Sequence, residues 1–267
     1  MNNGYKKWIE DNLSIVNKEG NLVPFKLNAI QDRYLTQDTS NGKDYILKAR
    51  QQGFSSLILA IFTADFLMKE NVYNVVVADN TDNAQGLLKR VKDYIRCIDP
   101  NIDKLLKYNS KYELYLESSN NTYKIGTAEN INFGRSKTIT NLHLSEANFY
   151  PHLSDMLAGA LQALVPTGRA IIESTANGFN EGKELWDRST IGESGFKPLF
   201  YKASDFYSKE FLEEKKKELG DRLYKQEYPS TATEAFVTSG QCYFDTESLS
   251  YYLENAKEPM KEGVIYV

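Results

Sequence analysis

Cysteine is nearly missing from this sequence: Cys97 and Cys242 are the only two in 267 residues. They lie far apart and in no metal-ligand spacing, which excludes a disulfide framework or a cysteine-held metal. Free thiols in a reducing compartment are the default. No uninterrupted apolar run reaches membrane-spanning length, and the N-terminus MNNGYKKWIE has no apolar signal core. The expectation is a soluble, intracellular protein with no membrane partner. An excess of basic charge is missing too. Lys and Arg total 32 against 36 Asp and Glu, a net charge of −4. That gives no support for a nucleic-acid partner, although a basic face can sit on an acidic protein. The basic clusters Lys89, Arg90 and Lys92, and Lys215, Lys216 and Lys217, read as solvated helix faces. There is no internal repeat and no low-complexity tract, which leaves an ordinary globular chain.

What is present is an alternation of strand-like and helix-like segments, over a length that suits one large α/β domain or two small ones. Residues 1–40 are polar and mixed, with a helix expected around Gln31–Leu35. Asp44–Lys48 (DYILK) reads as a short buried strand and Gln51–Phe54 as a glycine-containing turn. From Ser55 the run SSLILAIFTADFLMKE is apolar nearly all round and free of Pro and Gly, which predicts a buried helix. Val75–Ala78 predicts a second buried strand. In TDNAQGLLKRVKDYIRCI, residues Ala84, Leu87, Leu88, Val91, Ile95 and Ile98 fall at helical spacing and define one buried face. Residues 111–128 alternate, turn at SSNN and alternate again, the pattern of an antiparallel hairpin. Ile139–Leu144, Ala170–Ser174 and Pro198–Lys202 predict further strands, with a helix over 153–164. Ser208–Leu219 predicts a charged surface helix closed by Gly220. Such alternation implies a mostly parallel sheet covered on both faces, with ligands at the carboxyl ends of its strands.

The informative residues lie just after strands. Lys48-Ala49-Arg50-Gln51-Gln52-Gly53-Phe54-Ser55-Ser56 joins the first strand to the buried helix. A phosphate loop usually reads G-x-x-x-x-G-K-[ST]. Its backbone N–H groups and the helix N-terminus hold the phosphates, its lysine reaches the β/γ oxygens, and its hydroxyl binds Mg²⁺. Gly53 and Ser55 occupy the second-glycine and hydroxyl positions, Phe54 stands where the lysine is usual, and Lys48 where the first glycine is. A lysine at the start of the loop can fold across it to the same phosphates. An ordinary strand–turn–helix with a snorkelling lysine fits these residues equally well. Thr138–Glu146 (TITNLHLSE) is a strand ending in an acid. Nucleotide hydrolases commonly end such a strand in Asp-Glu, the Asp steadying Mg²⁺ through water and the Glu polarising the attacking water. Ser145 takes the aspartate position: it can hydrogen-bond a metal-bound water but brings no charge. Upstream, Asn132-Phe133-Gly134-Arg135-Ser136 places an arginine in a loop, where it is either a surface residue or a nucleotide contact. Ala170–Ser174 runs into Ser174-Thr175-Ala176-Asn177-Gly178, whose polar groups at a buried strand end can sense a γ-phosphate or its water. Asn177-Gly178 alone would be a turn.

In this order the stations resemble the ATPase domain of the large terminases, the motors that pump DNA into the heads of tailed bacteriophages. The resemblance covers roughly residues 20–245. It rests on the shifted-lysine loop K-x-x-x-x-G-[YF]-S with Arg50 and Gln52 inside it, and on Ser145-Glu146-Ala147 in place of D-E-A, followed by Asn148-Phe149. The segment around Arg135 and the S-T-A-N-G coupling motif add to it. So do Gln226-Glu227-Tyr228-Pro229, Glu234-Ala235-Phe236, Ser239-Gly240 and Phe244, where the family's ATPase domain closes. Pro24-Phe25-Lys26-Leu27 with Gln31 resembles the family's adenine-contacting Q motif.

The resemblance implies a P-loop NTPase, RecA-like and of the additional-strand, catalytic-Glu type, with a central mostly parallel sheet and a β-hairpin insertion. It divides the chain into an N-terminal segment (1–40), an ATPase core (41–245), and a helix with the start of a linker (246–267). The linker would lead toward a nuclease domain that is expected to be absent. The implied activity is ATP hydrolysis with Mg²⁺, coupled to double-stranded DNA translocation. Lys48, Arg50, Gln52, Gly53, Phe54, Ser55 and Ser56 would meet the phosphates. Ser55, and Ser145 through water, would hold Mg²⁺, and Gln31 would contact adenine. Glu146 would activate water, and Arg135 would stabilise the transition state, often from a neighbouring subunit. Ser174, Thr175 and Asn177 would transmit the result. Implied partners are DNA, a portal protein, a small terminase subunit and further copies in a pentameric ring on the procapsid, in the host cytoplasm. A helicase-like DNA remodeller and a catalytically weak nucleotide-binding scaffold are the rival readings.

Overall fold

The uninterrupted apolar run becomes α3 (Phe54–Met68), buried around nearly its whole circumference. A helix without a polar face needs cover on every side, and the sheet and three other helices supply it. The structure, a computed structural model, describes residues 2–17, 19–130 and 137–239, and beyond these 248, 251, 252 and 254–256.

The chain opens with α1 (Asn2–Asn12), which the polar composition of residues 1–40 did not announce. It docks through Ile9 and through Tyr5, whose hydroxyl donates to buried Asp65 of α3 at 2.6 Å. A small antiparallel ribbon follows, β1 (Ser14–Val16) with β2 (Leu22–Pro24), and then α2 (Ala29–Arg33), capped by Asn28.

Eight strands build the central sheet: β3 (Lys43–Lys48), β4 (Tyr73–Ala78), β5 (Leu106–Asn109), β6 (Glu113–Leu116), β7 (Asn121–Thr127), β8 (Ile139–Ser145), β9 (Leu164–Ser174) and β10 (Lys197–Tyr201). Their order is β10-β3-β9-β8-β4-β7-β6-β5. From β10 to β7 every pairing is parallel, and β6 and β5 add antiparallel at the edge. The expected hairpin is β6–β7. It is part of the sheet rather than an appendage, because β7 also pairs in parallel with β4.

Side chains alternate between two cores. Ile46, Val76 and Ala78 face one layer, made by α1, α2, α3 and α4 (Thr81–Ile98). Tyr45, Leu47, Val75 and Val77 face the other, made by α5 (Leu153–Gln162), α6 (Glu181–Thr190) and α8 (Ala232–Ser239). On α4 the buried stripe is Ala84, Leu88, Val91, Tyr94 and Ile95. Ile98 drops out, 39% exposed at the last turn, and Tyr94 enters because its hydroxyl reaches the Ser56 carbonyl.

β9 runs six residues further upstream than its apolar stretch indicated. Pro166 and Gly168 hid that half from a sequence reading. Pro166 is tolerated where the strand is exposed and its register with β8 is irregular, and buried Gly168 where a Cβ would lie 2.9 Å from the Thr140 carbonyl. α7 (Lys209–Glu227) breaks at Gly220, as expected, where φ is 71° and ψ 165°, and helix then resumes to Glu227. No helix among the described residues is long and apolar enough to cross a membrane.

Candidate active site

The loop between β3 and α3 sits at the carboxyl end of the sheet and is braced from three sides. Asn28 Nδ2 donates to the Gln52 carbonyl (3.2 Å), Gln52 Nε2 to the Lys202 carbonyl (3.1 Å), and the Arg50 N–H to the Glu227 carbonyl (3.0 Å). Gly53 carries φ +83°, the left-handed region that suits glycine, and a Cβ there would lie 2.7 Å from Gln31 Nε2. A preformed loop therefore presents the first turn of α3 to a cavity of about 670 Å³, within the usual range for small-molecule sites. The first N–H groups of any helix lack intrahelical partners, and with the dipole they favour an anion.

Three loop expectations are refined by these contacts. Gln31, the residue expected at adenine, has both ends of its amide on backbone. Its Oε1 accepts from the Asn28 N–H (3.0 Å), its Nε2 donates to the Gly53 carbonyl (2.7 Å), and the side chain is 4% exposed. It braces the loop between β3 and α3. Gln52 is fully buried, with its amide nitrogen turned to Lys202, so only its backbone is left for a phosphate. Arg50 pairs with Glu227 at 3.0 Å while its side chain stays 60% exposed at the rim of the cavity.

Phe54, in the usual lysine position, is 1% exposed and packs against Tyr34 and Tyr201 at ring-centroid distances of 5.8 and 4.6 Å. Truncation to alanine would open a core cavity, so Phe54→Ala is expected to cost roughly 3–5 kcal/mol of stability. Phe54→Leu is the milder probe. By chemical denaturation it should remain much closer to wild type, with nucleotide affinity retained. A nucleotide-binding defect in a stably folded Phe54→Leu protein would give the ring a direct role at the phosphates.

Behind the loop lies a cluster of charge. Lys48 ends β3 and is 5% exposed. Its Nζ stands 2.9 Å from Glu146 Oε1 and 3.2 Å from Glu173 Oε2. Burial works against the ammonium, but the two carboxylates prevail and hold its pKa above the ordinary lysine value. Glu173 is completely buried. Burial pushes its pKa up, yet the Lys48 charge, with His143 and the Ser55 hydroxyl, brings it below the usual carboxylate range. Its Oε1 accepts from Ser55 Oγ at 2.6 Å and from Ser145 Oγ at 2.8 Å. Removing one partner from such a cluster strands a buried charge. Lys48→Ala should therefore lose on the order of 3–5 kcal/mol of stability as well as nucleotide affinity, both measurable by thermal melts with and without ATP. Wild-type stability would show that the cluster is not ionised.

Glu146 follows β8 in a left-handed conformation, φ 56° and ψ 44°, that only a constrained non-glycine residue keeps. The expected coupling segment supplies the constraint. The Thr175 N–H and Oγ1 donate to Glu146 Oε2 at 3.1 and 3.3 Å, with Ser174 Oγ further off at 3.5 Å. Asn177 stands one step away and donates to the Asn148 carbonyl at 3.1 Å. Asn148, in turn, accepts from Tyr45 and donates to the Thr175 carbonyl. Gly182 of α6 packs so closely that an added Cβ would meet Asn148 Oδ1 at 1.9 Å. Tyr45 Oη also stands 3.0 Å from the Gly182 carbonyl, so hydrogen-bonding contacts run from Glu146 through Thr175, Asn148 and Tyr45 to α6.

The structure thus brings Lys48, Ser55, Ser145, Glu146, Ser174 and Thr175 together, with Gly53, Ser56 and Phe54 in the loop beside them. Arg135 lies outside the described residues. Sequence reading missed three charged residues, Glu173, Arg90 and Asp79, the last of which lines the cavity. Glu173 shows only as an acid inside an apolar strand (AIIES), a signal in itself because such a group needs partners. Arg90, read as part of a solvated cluster, lines the cavity and donates to Ser56 Oγ at 3.0 Å.

No protein-family model and no curated protein sequence matches the chain. Solved structures do. The large terminase ATPase domain of Thermus phage P74-26 superposes with a TM-score of 0.59 at 18% identity, over 76% of this chain and 93% of that one. The large terminase of bacteriophage HK97 gives a TM-score of 0.68 at 16% identity, over 88% of this chain and 55% of that one. The large terminase of a thermophilic bacteriophage, in complex with ADP, gives 0.51 at 10% identity, over 74% and 52%. The chain thus spans about half the length of these last two proteins. In fold, this chain is similar to the ATPase domains of phage large terminases.

Proposed function

We propose that the chain is the ATPase motor of a phage DNA-packaging machine, hydrolysing ATP to move double-stranded DNA. One observation carries the reading: a lysine from the phosphate loop and the N–H of the coupling strand converge on one strand-end carboxylate, Glu146. ATP phosphates would sit on the first-turn N–H groups of α3 and draw the Lys48 ammonium toward the β/γ oxygens. Lys48 would then leave Glu146, whose freed Oε1 can accept a proton from the attacking water. Thr175 keeps hold of Oε2 and so registers where that carboxylate points.

The donor set fits Mg²⁺. Among the described residues no group of three or more His, Cys, Asp or Glu could cage a metal, and this ion takes few protein ligands and binds mainly phosphates and water. The Ser55 hydroxyl, and Ser145 through water, would hold it, and when bound it neutralises charge on the β- and γ-phosphoryl oxygens. Arg135 would stabilise the transition state. DNA, a portal ring, a small terminase subunit and a pentameric ring of copies are the partners this reading carries. The scaffold alternative is motivated by Phe54 and Ser145, which replace the usual lysine and aspartate.

The test is phosphate release by the purified chain with and without double-stranded DNA. DNA-stimulated turnover without strand separation supports a packaging motor, and strand separation a helicase-like remodeller. Tight ATP binding with no turnover, alone or on portal and DNA, would favour the scaffold.

A further inference from the structure

The strand that should carry an aspartate carries Ser145, yet the charge has not left the site. β8 and β9 run in parallel with Ser145 opposite Glu173. Glu173 is 0% exposed, and its Oε1 receives two hydroxyl protons, from Ser55 (2.6 Å) and Ser145 (2.8 Å). Its Oε2 accepts no hydrogen bond and faces the Lys48 ammonium at 3.2 Å. A carboxylate taken so fully out of water is costly, and pairing with Lys48, with the buried His143 Nε2 at 3.4 Å from Oε1, is often no better than apolar packing. The two hydroxyls indicate what else it does. A serine oxygen that ligates a cation must turn a lone pair toward the metal and find another acceptor for its proton. Glu173 is that acceptor for Ser55, which lines the cavity, and for Ser145 behind it.

We propose that Glu173 replaces the missing strand-end aspartate as the residue that positions Mg²⁺, orienting the Ser55 and Ser145 hydroxyls and supplying the negative charge that Ser145 lacks. The proposal rests on the ATPase reading above. It makes Glu173 a positioning residue that acts on the ion through two serines.

The test titrates Mn²⁺ into ADP-loaded protein, followed by electron paramagnetic resonance, beside ADP binding measured in EDTA. It compares wild type, Glu173→Gln, and Glu173→Gln combined with Ser145→Asp. Glu173→Gln is expected to weaken Mn²⁺ binding on the order of 10–100-fold while ADP binding in EDTA changes little. Returning a carboxylate to the next strand in the double variant should restore most of the metal affinity. A residue that only stabilised the fold would lower the melting temperature and ADP binding in EDTA together, with no metal-specific loss and no rescue. Wild-type Mn²⁺ affinity in folded Glu173→Gln overturns the inference and leaves the ATPase reading standing. A wild-type chain that binds no ADP under either condition removes both. If the single variant does not fold, the double variant decides: near-native Mn²⁺ affinity supports the transposed charge, and lost metal affinity with intact ADP binding overturns it.

Discussion

Glu146→Gln is expected to bind ATP about as well as wild type and to turn it over at least about a hundredfold more slowly. The carboxamide keeps the size of the side chain, and its oxygen can still accept from the Thr175 N–H, now 3.1 Å from Oε2. What it cannot do is take a proton from water. Binding should survive because Lys48 loses one of its two carboxylate neighbours and becomes freer to meet phosphates. The left-handed backbone at Glu146 gives the result further meaning. A strained non-glycine conformation costs of order 1–3 kcal/mol, and Glu146 keeps it where the side chain meets both Thr175 and Lys48. A nucleotide titration run beside a phosphate-release assay checks the prediction. Undiminished turnover in the variant would remove Glu146 from the mechanism.

Arg135→Ala is expected to lose turnover by a factor on the order of 10³–10⁵ while still binding ATP, because a transition-state arginine neutralises charge that grows only during reaction. Arg135 precedes Glu146 by eleven residues in the sequence, and the resemblance to large terminases implies that this arginine would serve a neighbouring subunit. Action in trans has two consequences. The isolated chain should be a feeble ATPase whose specific activity rises with protein concentration or on portal and DNA. Mixing Arg135→Ala with Glu146→Gln should restore some activity, since an intact Glu146 pocket can then meet an intact Arg135 from its neighbour. A mixture as inactive as its components, where wild type assembles and turns over, would place Arg135 in cis or outside the reaction.

Several features were legible in the sequence because their causes are local. An apolar run of helix length with no Pro or Gly has few solutions other than a buried helix, and α3 is one. Gly53 at a strand–helix junction marked a tight turn into the helix, since the chain needs a left-handed residue there. The places of Glu146 and Thr175 were legible for a related reason: each directly follows a buried strand of a parallel sheet.

Other features arise only when distant strands become neighbours. Nothing near Ser145 shows that a carboxylate stands beside it; that depends on β9 lying next to β8, with Glu173 in register. Gln31 carried the right amide for a base, yet the packing of α2 against the loop commits both of its ends to backbone. Arg90 looked like one member of a solvated cluster until α4 docked and aimed it into the cavity. Neighbouring residues were enough to set the elements and the loop, because hydrophobic periodicity and backbone sterics act over a few positions. Which charges meet was left to the assembled fold, because a buried ion needs partners from whatever strands and helices come within a few ångströms of it.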